Sequence, residues 1–186
     1  MKNIDLKLFS RIPTLYTDRL ILRRIQPTDV DDIYEYAQDM LVTKYLLWNP
    51  HCDKSYTRRY VNYIDKKYKK CEFYDWGIEY GNKMIGTCGF TSFDIGNNSA
   101  EIGYVLNRCY WNLGIATEAV GRVISFGFDV LGLNRISARY MIGNEKSEGV
   151  MKKNGMEFEG VLRSAVLAKG KYVDVGIYSI IRKEPN

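Results

Sequence analysis

Three segments with the residue pattern of β-strands follow one another along the chain, separated only by short turns. They span residues 75–80, 83–93 and 100–106. Gly81 and Asn82 separate the first two, and residues 96–98 (Gly-Asn-Asn) separate the second from the third. Glycine and asparagine tolerate the left-handed backbone that tight hairpin turns need. The sequence therefore predicts an antiparallel meander, which restricts the fold to one built around a sheet.

The rest of the chain predicts helices and further strands on both sides of this meander. Alternating apolar and charged residues favour a strand over 18–25, and acidic residues after Pro27 open a helix whose apolar face extends to Met40. A second helix is predicted over 55–70. After the meander we expect a helix, a strand, a helix and a two-stranded hairpin, over residues 114–130, 135–141, 144–154, 160–168 and 171–181.

These elements give the order β-α-α-β-β-β-α-β-α-β-β. Such an order is typical of an α/β (α+β) fold, with a mixed, mostly antiparallel sheet of six to seven strands flanked by four helices. The chain has 186 residues and carries no repeat or linker-like segment. A single domain over residues 1–186 is the simplest interpretation.

Composition excludes several classes of protein. No run approaches the roughly 20 apolar residues of a membrane span, and the N-terminus lacks the apolar core of a secretory signal. The four cysteines are widely spaced, as expected for reduced thiols in a cytoplasmic protein. The net charge of +5 is mild and suits an anionic small molecule as well as a nucleic acid. We expect no membrane partner.

A metal site is not expected either. His51 is the only histidine, and its neighbour Cys52 supplies a second possible ligand. A zinc site needs three or four protein ligands. The pair is therefore interpreted as part of a surface or loop.

The junction between the third predicted meander strand and the following helix contains small residues. Gly114 and Ala116 lie where the helix begins. Free backbone N–H groups at a helix N-terminus bind phosphates, and small side chains let the backbone approach them. Ordinary packing of the helix start against a strand is the alternative. The segment is neither a Walker loop nor a dinucleotide-binding fingerprint.

The sequence around this junction resembles a known family. Residues 100–119, AEIGYVLNRCYWNLGIATEA, are similar to the acetyl-coenzyme A loop of the GNAT N-acetyltransferases, and most of all to the RimJ/RimL-like branch that acetylates ribosomal proteins. Three further segments match that branch in the right order: TDRLILR at 17–23, NEKSEGVMKKNGMEFEG at 144–160 and GKYVDVGIYSI at 170–180. The resemblance covers about 14–182.

The resemblance implies acetyl-coenzyme A as cosubstrate, with its pyrophosphate on the backbone amides of the loop and its pantetheine arm along the preceding strand. The implied loop residues are Leu113, Gly114, Ile115, Ala116 and Thr117, and the implied strand residues are Tyr104, Val105 and Leu106. Asn144 matches an asparagine that bonds the arm, although it also suits a helix N-cap. Lys153 matches a lysine near the nucleotide phosphates, although such a lysine is often only solvated.

The sequence departs from the family pattern at four positions. Trp111 stands where the superfamily usually has Gln or Arg, and Asn112 replaces a common glycine. Met151 occupies the position of a tyrosine that acts as an acid in some relatives, so another group must take that role. Met156 replaces a phenylalanine, which is interpreted as an exchange within the core.

Acetyl transfer to an amine needs a neutral amine and a proton for the leaving thiolate. Glu101, on the third meander strand near the expected thioester, is the candidate base; a salt bridge to a basic neighbour is the alternative role. Ser147 lies one helical turn after Asn144 and matches the serine of the branch motif, which makes it the candidate acid. A capping or solvated hydroxyl is its alternative role.

The acceptor side is predicted from the same resemblance. The first two helices and the final hairpin surround the acceptor in this fold, which points to Trp48, Asn49, Tyr56 and Tyr172. The other tyrosines of the second helix are interpreted as core. The basic end of that helix, Lys66–Lys70, is interpreted as a solvated face, although it would also suit contact with ribosomal RNA.

The sequence therefore predicts an N-acetyltransferase whose partner is an amine acceptor, either a protein N-terminus or a small molecule. A non-catalytic sensor of acyl-coenzyme A and a basic RNA-binding module are the alternatives. Either a monomer or a homodimer is compatible with the sequence.

Overall fold

The computed structural model describes residues 5–183. The predicted domain over 1–186 includes terminal residues outside that range. The strands are β1 (Leu15–Tyr16), β2 (Ile21–Arg23), β3 (Tyr74–Tyr80), β4 (Lys83–Asp94), β5 (Ser99–Leu106), β6 (Arg135–Met141), β7 (Glu157–Ala168) and β8 (Lys171–Ile181). The helices are α1 (Val30–Ala37), α2 (Met40–Thr43), α3 (Lys54–Lys69), α4 (Ile115–Asp129) and α5 (Glu145–Lys153), with 3₁₀ turns at Leu6–Arg11, Pro27–Asp29 and Arg108–Tyr110.

The strands form one sheet in the order β1-β2-β3-β4-β5-β6-β8-β7. The predicted meander is confirmed, because β3, β4 and β5 pair antiparallel in sequence order. Only β5 and β6 pair in parallel; the other neighbours are antiparallel. The predicted mixed, mostly antiparallel α/β architecture is therefore confirmed.

The predicted count of six to seven strands was too low, because a two-residue strand at Leu15–Tyr16 pairs with β2. Two residues are too few to show alternation. The predicted strand at 18–25 is correspondingly shorter. The Thr17 hydroxyl accepts a hydrogen bond from the Leu20 amide, and the Thr17 amide donates one to the Leu20 carbonyl. These two bonds form a turn inside that segment.

The predicted count of four helices was also too low. The first predicted helix ends at Ala37, and Met40 begins a separate short helix. Asp39 has an extended backbone, and its side chain accepts a hydrogen bond from the Leu41 amide. This cap stops one helix and starts the next.

The helices cover both faces of the sheet. On one face, Phe126 of α4 packs edge-on against Trp76 of β3, with ring centroids 5.3 Å apart, and Phe9 joins the same aromatic cluster. Side chains alternate along a strand, so Asp75 and Thr87 point to the opposite face. There they line a cavity together with residues of α1 and α3.

The central strands approach one another closely because β4 carries glycines. A Cβ added at Gly86 would lie 2.2 Å from the Val105 carbonyl oxygen and 3.0 Å from the Leu106 Cα, both of them backbone atoms of β5. No residue with a side chain fits there without displacing β5.

Two glycine-to-alanine substitutions test this packing. Gly86→Ala should destabilise the protein by about 1–3 kcal/mol, because the new methyl group overlaps backbone. Gly149→Ala, in α5, should stabilise it by about 0.5–1 kcal/mol, because the space there is open and alanine favours the helix. Urea unfolding with an unchanged m-value measures both effects. Equal effects of the two substitutions would contradict the packing.

Candidate active site

The sheet opens between β5 and β6. The last pair of the parallel ladder is Ile102 with Ala138. Beyond it, β6 continues to pair with β8 as far as Met141. The last residues of β5, Tyr104, Val105 and Leu106, therefore leave their edge towards β6 open. The resemblance implied that the pantetheine arm lies along these same three residues.

Helix α4 begins beside that opening with unsatisfied amides. Gly114 is its N-cap, with φ of +76°, and no side chain caps the helix. Asn112 has φ of +63°, so it adopts the left-handed backbone that glycine usually supplies. The amides of the first turn are free to bind an anion, and the positive end of the helix dipole favours one.

A network on the far side of the loop holds it in place. Arg19 donates a 3.0 Å hydrogen bond to the Leu113 carbonyl. The Glu118 carboxylate accepts hydrogen bonds from the Thr17 hydroxyl, at 2.6 Å, and from the Arg19 guanidinium, at 2.7 Å. The acidic residue in the first turn of α4 is thus engaged away from the free amides.

A cleft of about 610 Å³ lies between the open edge of β5 and the start of α4. The predicted cofactor residues that line it are Tyr104, Val105, Leu106, Gly114, Ile115, Ala116, Thr117, Asn144 and Lys153. Leu113 does not line it and is half exposed. The structure thus brings all but one of the predicted cofactor residues to one cleft.

Two further lysines line the cleft. The Lys146 ammonium lies 4.2 Å from the centre of the Trp111 ring, and Lys44 approaches from the segment after α2. Lys146 lies two residues after Asn144, within the segment 144–160 that resembles the family. That position is the signal from which the sequence could have identified it. Lys44 has no comparable signal, since only the tertiary fold brings it to the cleft.

Ser147 lines the cleft and hydrogen-bonds to a partly buried tyrosine. The Tyr104 and Ser147 hydroxyl oxygens are 2.9 Å apart, and burial raises the pKa of the tyrosine. Asn144 accepts a 3.4 Å hydrogen bond from the Ser147 amide, so its N-cap role is observed. The resemblance implicated Tyr104 only as part of the strand beside the pantetheine arm, and nothing in the sequence pointed to its hydroxyl. Met151, at the position of the missing tyrosine acid, is buried in the core, as is Met156.

A second cavity, of about 370 Å³, meets the cleft at Ser147. Tyr104, Asn144 and Ser147 line both spaces. Of the four predicted acceptor residues, only Trp48 lines this cavity; Asn49, Tyr56 and Tyr172 do not. The Tyr56 ring packs against His51, which lines the cavity, with ring centroids 4.7 Å apart. Tyr172 is 70% exposed. Tyr60, interpreted as core, lines the cavity as well.

Glu101 lines the second cavity and forms an ion pair. Its Oε1 accepts a 3.0 Å hydrogen bond from Arg139 Nη2, and its Oε2 lies 2.7 Å from Arg139 Nε. The Thr91 hydroxyl is 3.4 Å from one of them. The salt bridge considered beside the catalytic role therefore exists, and both cavity-facing oxygens are already engaged.

Asp75 is the titratable residue that sequence reasoning missed. Its Oδ1 is the one buried side-chain oxygen or nitrogen without a hydrogen-bond partner among the described residues. Burial raises the pKa of its carboxyl to about 7. The residue lines the second cavity. Its position at the start of an alternating strand indicated nothing unusual, because α1, α3 and the segment before α3 bury it.

A second residue that lines this cavity, His51, also has a shifted pKa. Burial lowers the pKa of His51, whose Nδ1 lies 2.9 Å from the Thr57 hydroxyl. A neutral imidazole is therefore the form that the cavity wall favours. Over residues 5–183 no group of three or more His, Cys, Asp or Glu side chains is placed to hold a metal ion.

The chain matches the family described as acetyltransferase (GNAT) domain over residues 19–157. It belongs to this family of acyltransferases and is therefore an N-acetyltransferase of the GNAT type. The N-acetyltransferase p20 of Bacillus licheniformis, described as uncharacterized, is 38% identical over 92% of this chain and 97% of its own length.

Solved structures agree. A GNAT-family acetyltransferase from Bacillus anthracis is 28% identical, with a TM-score of 0.80 over 91% of this chain and 98% of its own. RimL, a ribosomal L7/L12 α-N-protein acetyltransferase solved with coenzyme A, is 22% identical, with a TM-score of 0.77 over 91% and 98%. The likeness to RimL shows a shared fold. In the described part of the chain, no helix has the length and apolar character to cross a membrane.

The Asp75 carboxyl predicts a pH-dependent stability. Its pKa is about 7 in the folded protein and about 3.9 in an unfolded chain, so the folded state retains a proton that the unfolded state loses. The stabilisation is complete below pH 4 and is lost as the pH rises through 7. Relative to Asp75→Asn, the wild type should lose at most about 4 kcal/mol between pH 4 and pH 8.

Urea unfolding at a series of pH values measures this difference. Asp18→Asn is the matched control, since Asp18 is exposed, and it should show no such trend. A constant difference between wild type and Asp75→Asn from pH 4 to pH 8 would contradict the burial of this carboxyl.

Proposed function

We propose that this protein transfers the acetyl group of acetyl-coenzyme A to a primary amine, with the cosubstrate in the larger cleft and the amine in the smaller cavity. The observation that carries the proposal is the junction of the two spaces at Tyr104, Asn144 and Ser147. A reaction between two bound substrates needs such a junction, because their reacting atoms must approach to about 3–3.5 Å.

The cleft has the chemistry that acetyl-coenzyme A requires. Free amides of Ile115–Thr117 suit the pyrophosphate, and the surrounding lysines add positive charge, from Lys44, Lys146 and Lys153. The open edge of Tyr104–Leu106 offers backbone groups to an extended pantetheine arm, as an added strand would use them. No metal is part of this proposal.

Ser147 is proposed to supply the proton for the leaving thiolate. Its hydroxyl hydrogen-bonds to Tyr104, so a proton that leaves the serine can be replaced along that contact. This pair takes the place of the tyrosine that Met151 replaces. Glu101 remains the base suggested by the sequence, although Arg139 already occupies its carboxylate.

The acceptor proposed here is a protein N-terminal amine or a small amine. RimL acts on the N-terminus of ribosomal L7/L12 by its own description, and its likeness supports the first class. The volume of about 370 Å³ admits one terminal residue or one small molecule. A cytoplasmic location and a monomer or homodimer remain part of the proposal.

The alternatives have less support. A non-catalytic sensor would bind coenzyme A without turnover, and Met151 in place of the acid is the observation that favours it. An RNA-binding role for α3 is disfavoured, because Lys67 and Lys69 form ion pairs with Glu72 and Asp65. Acetyl transfer from acetyl-coenzyme A to any amine, detected as free thiol, excludes the sensor.

The loop assignment is tested with two tryptophan substitutions. Gly114→Trp places a large side chain at the N-cap of α4, with its Cβ 3.5 Å from the Arg19 guanidinium that holds the loop. By displacing the loop it should weaken coenzyme A binding at least tenfold, measured by calorimetry. Gly155→Trp is the matched control, since Gly155 has φ of +72° and open space around it, outside the cleft. Both should lose a similar stability, of about 1–2 kcal/mol. Unchanged affinity in Gly114→Trp would exclude this loop as the phosphate site.

The proton donor is tested with Ser147→Ala and Tyr104→Phe. Ser147→Ala should lower kcat by about 10²–10⁴, the usual contribution of a general acid, with little change in coenzyme A affinity. Tyr104→Phe should lower kcat less, because the serine itself remains. Ser125→Ala, on the exposed side of α4, is the control. A kcat within twofold of wild type in Ser147→Ala rules out the serine as acid.

A further inference from the structure

We propose that Asp75 is the acceptor-binding carboxylate, which holds the ammonium group of the incoming amine in the smaller cavity and takes its proton. The inference rests on the proposed function and adds the chemistry of its second substrate. Asp75 Oδ1 is buried and has no hydrogen-bond partner within residues 5–183, while the residue lines the cavity. Leaving a buried carboxylate oxygen unpaired is costly, so a ligand that donates to it is expected to bind.

Glycines occupy the positions beside Asp75 on the two neighbouring strands of the sheet. Asp75 pairs with Gly89, and Gly89 pairs with Gly103, so the three residues cross β3, β4 and β5 on one face. A Cβ added at Gly89 would lie 2.4 Å from Asp75 Oδ1, so the carboxylate occupies the space that a side chain would fill. The two glycines form a floor between Asp75 and the open edge of β5, and the Thr91 methyl group lies over its Gly103 end, 2.7 Å from where a Cβ would be.

This floor connects Asp75 to the site of transfer. Cβ positions of directly paired antiparallel residues are about 5 Å apart. The Cβ position of Gly103 is therefore on the order of 5 Å from Asp75 Oδ1. The side chain of the next residue, Tyr104, points to the other face of the sheet, and Tyr104 lines both spaces at the gap where Ser147 lies. One amine nitrogen, or an amine and one water, spans that distance.

The walls of the cavity favour a cation. Aromatic rings of α1, α3 and the segment before α3 line it: Tyr36, Trp48, His51 and Tyr60. Faces of such rings attract ammonium groups. The lining cation among the described residues, Arg139, is paired with Glu101, and burial keeps His51 neutral, so no free positive charge opposes a bound amine.

The proton balance of the step is complete within this site. The ammonium N–H bond breaks as an O–H bond forms on Asp75, and the neutral amine then attacks the thioester. The C–N bond forms and the C–S bond breaks as Ser147 protonates the thiolate. The second proton that the nitrogen loses passes to Glu101, the base proposed above, which lines the same cavity. Asp75 and Glu101 then release their protons to solvent, and Ser147 regains one through Tyr104.

The groups facing Asp75 are the phenols of Tyr36, which is buried, and Tyr60, which is partly exposed; both are neutral, since burial raises the pKa of each. The Asp75 carboxyl, with a pKa of about 7, exchanges protons near neutral pH.

The test compares two amines on wild-type protein, Asp75→Asn and Asp75→Glu. Benzylamine is the strongly basic probe, and alaninamide stands for an N-terminal amine, whose pKa is near 7.7–8.0. Calorimetry measures binding of each to protein saturated with coenzyme A, and thiol release measures kcat and KM from pH 6 to pH 9. Asp18→Asn serves as the surface control.

Asp75→Asn should bind coenzyme A as tightly as wild type but benzylamine at least tenfold more weakly. Its kcat/KM should fall by about 10²–10⁴ with benzylamine and by less with alaninamide, because the weaker base is partly neutral already. The rising limb of the wild-type pH profile near pH 7 should be missing. Asp75→Glu should restore part of the activity.

Amine affinity equal in wild type and Asp75→Asn overturns the inference, whether or not acetyl transfer occurs, and so does a wild type that binds neither amine. An equal loss of kcat/KM for both amines with an unchanged pH profile also overturns it, since a structural role predicts that result. Amine binding that depends on Asp75 without any turnover supports the acceptor site and refutes the proposed acetyl transfer instead.

Discussion

The functional geometry depends on the place where β5 and β6 stop pairing. Four residue pairs join these strands in parallel, ending with Ile102 and Ala138. β6 then follows β8, while β5 stays with β4. The gap opens β5 to an extended ligand on one side of Ser147 and to the smaller cavity on the other. A fully paired sheet would satisfy those backbone groups internally and close both spaces.

Polar groups on either side of this gap are left unsatisfied in ways that a ligand would correct. The first turn of α4 has no capping side chain, and Asp75 has an oxygen without a partner in the described structure. The charged residues nearby that could satisfy these groups are paired elsewhere. Glu118, in the first turn of α4, pairs with Arg19, and Arg139, which lines the cavity with Asp75, pairs with Glu101. The site therefore offers donors for an anion at one end and an acceptor for a cation at the other.

Local sequence patterns predicted the elements whose signals are local. The meander followed from turn residues such as Asn82, which adopts the positive φ that the turn needs, and the strand at Arg135–Met141 was predicted with its observed bounds. The cleft beside α4 was anticipated from the family resemblance, through residues that are adjacent in the chain, from Gly114 to Thr117. The strand at Leu15–Tyr16 was missed because two residues carry no periodicity.

The acceptor side was harder to predict, because its residues meet only through tertiary contacts. Asp75 gained its cavity from α1, α3 and the segment before α3, which are distant in sequence, and nothing near position 75 indicates that its carboxylate is buried. The hydroxyl of Tyr104 reaches Ser147 across 43 positions of the chain. Such pairs depend on how elements pack, which single-residue patterns do not encode.

The central claim is that coenzyme A binds at the start of α4, along the open edge of β5. Thermal unfolding with acetyl-coenzyme A, coenzyme A, NAD and ATP, each tested separately, addresses it most directly. A ligand at about 100 times its Kd adds roughly 2.7 kcal/mol of stability. A clear rise in Tm with the two coenzyme A forms, and none with NAD or ATP, is the predicted result. No rise with either coenzyme A form, or an equal rise with all four ligands, would contradict the account.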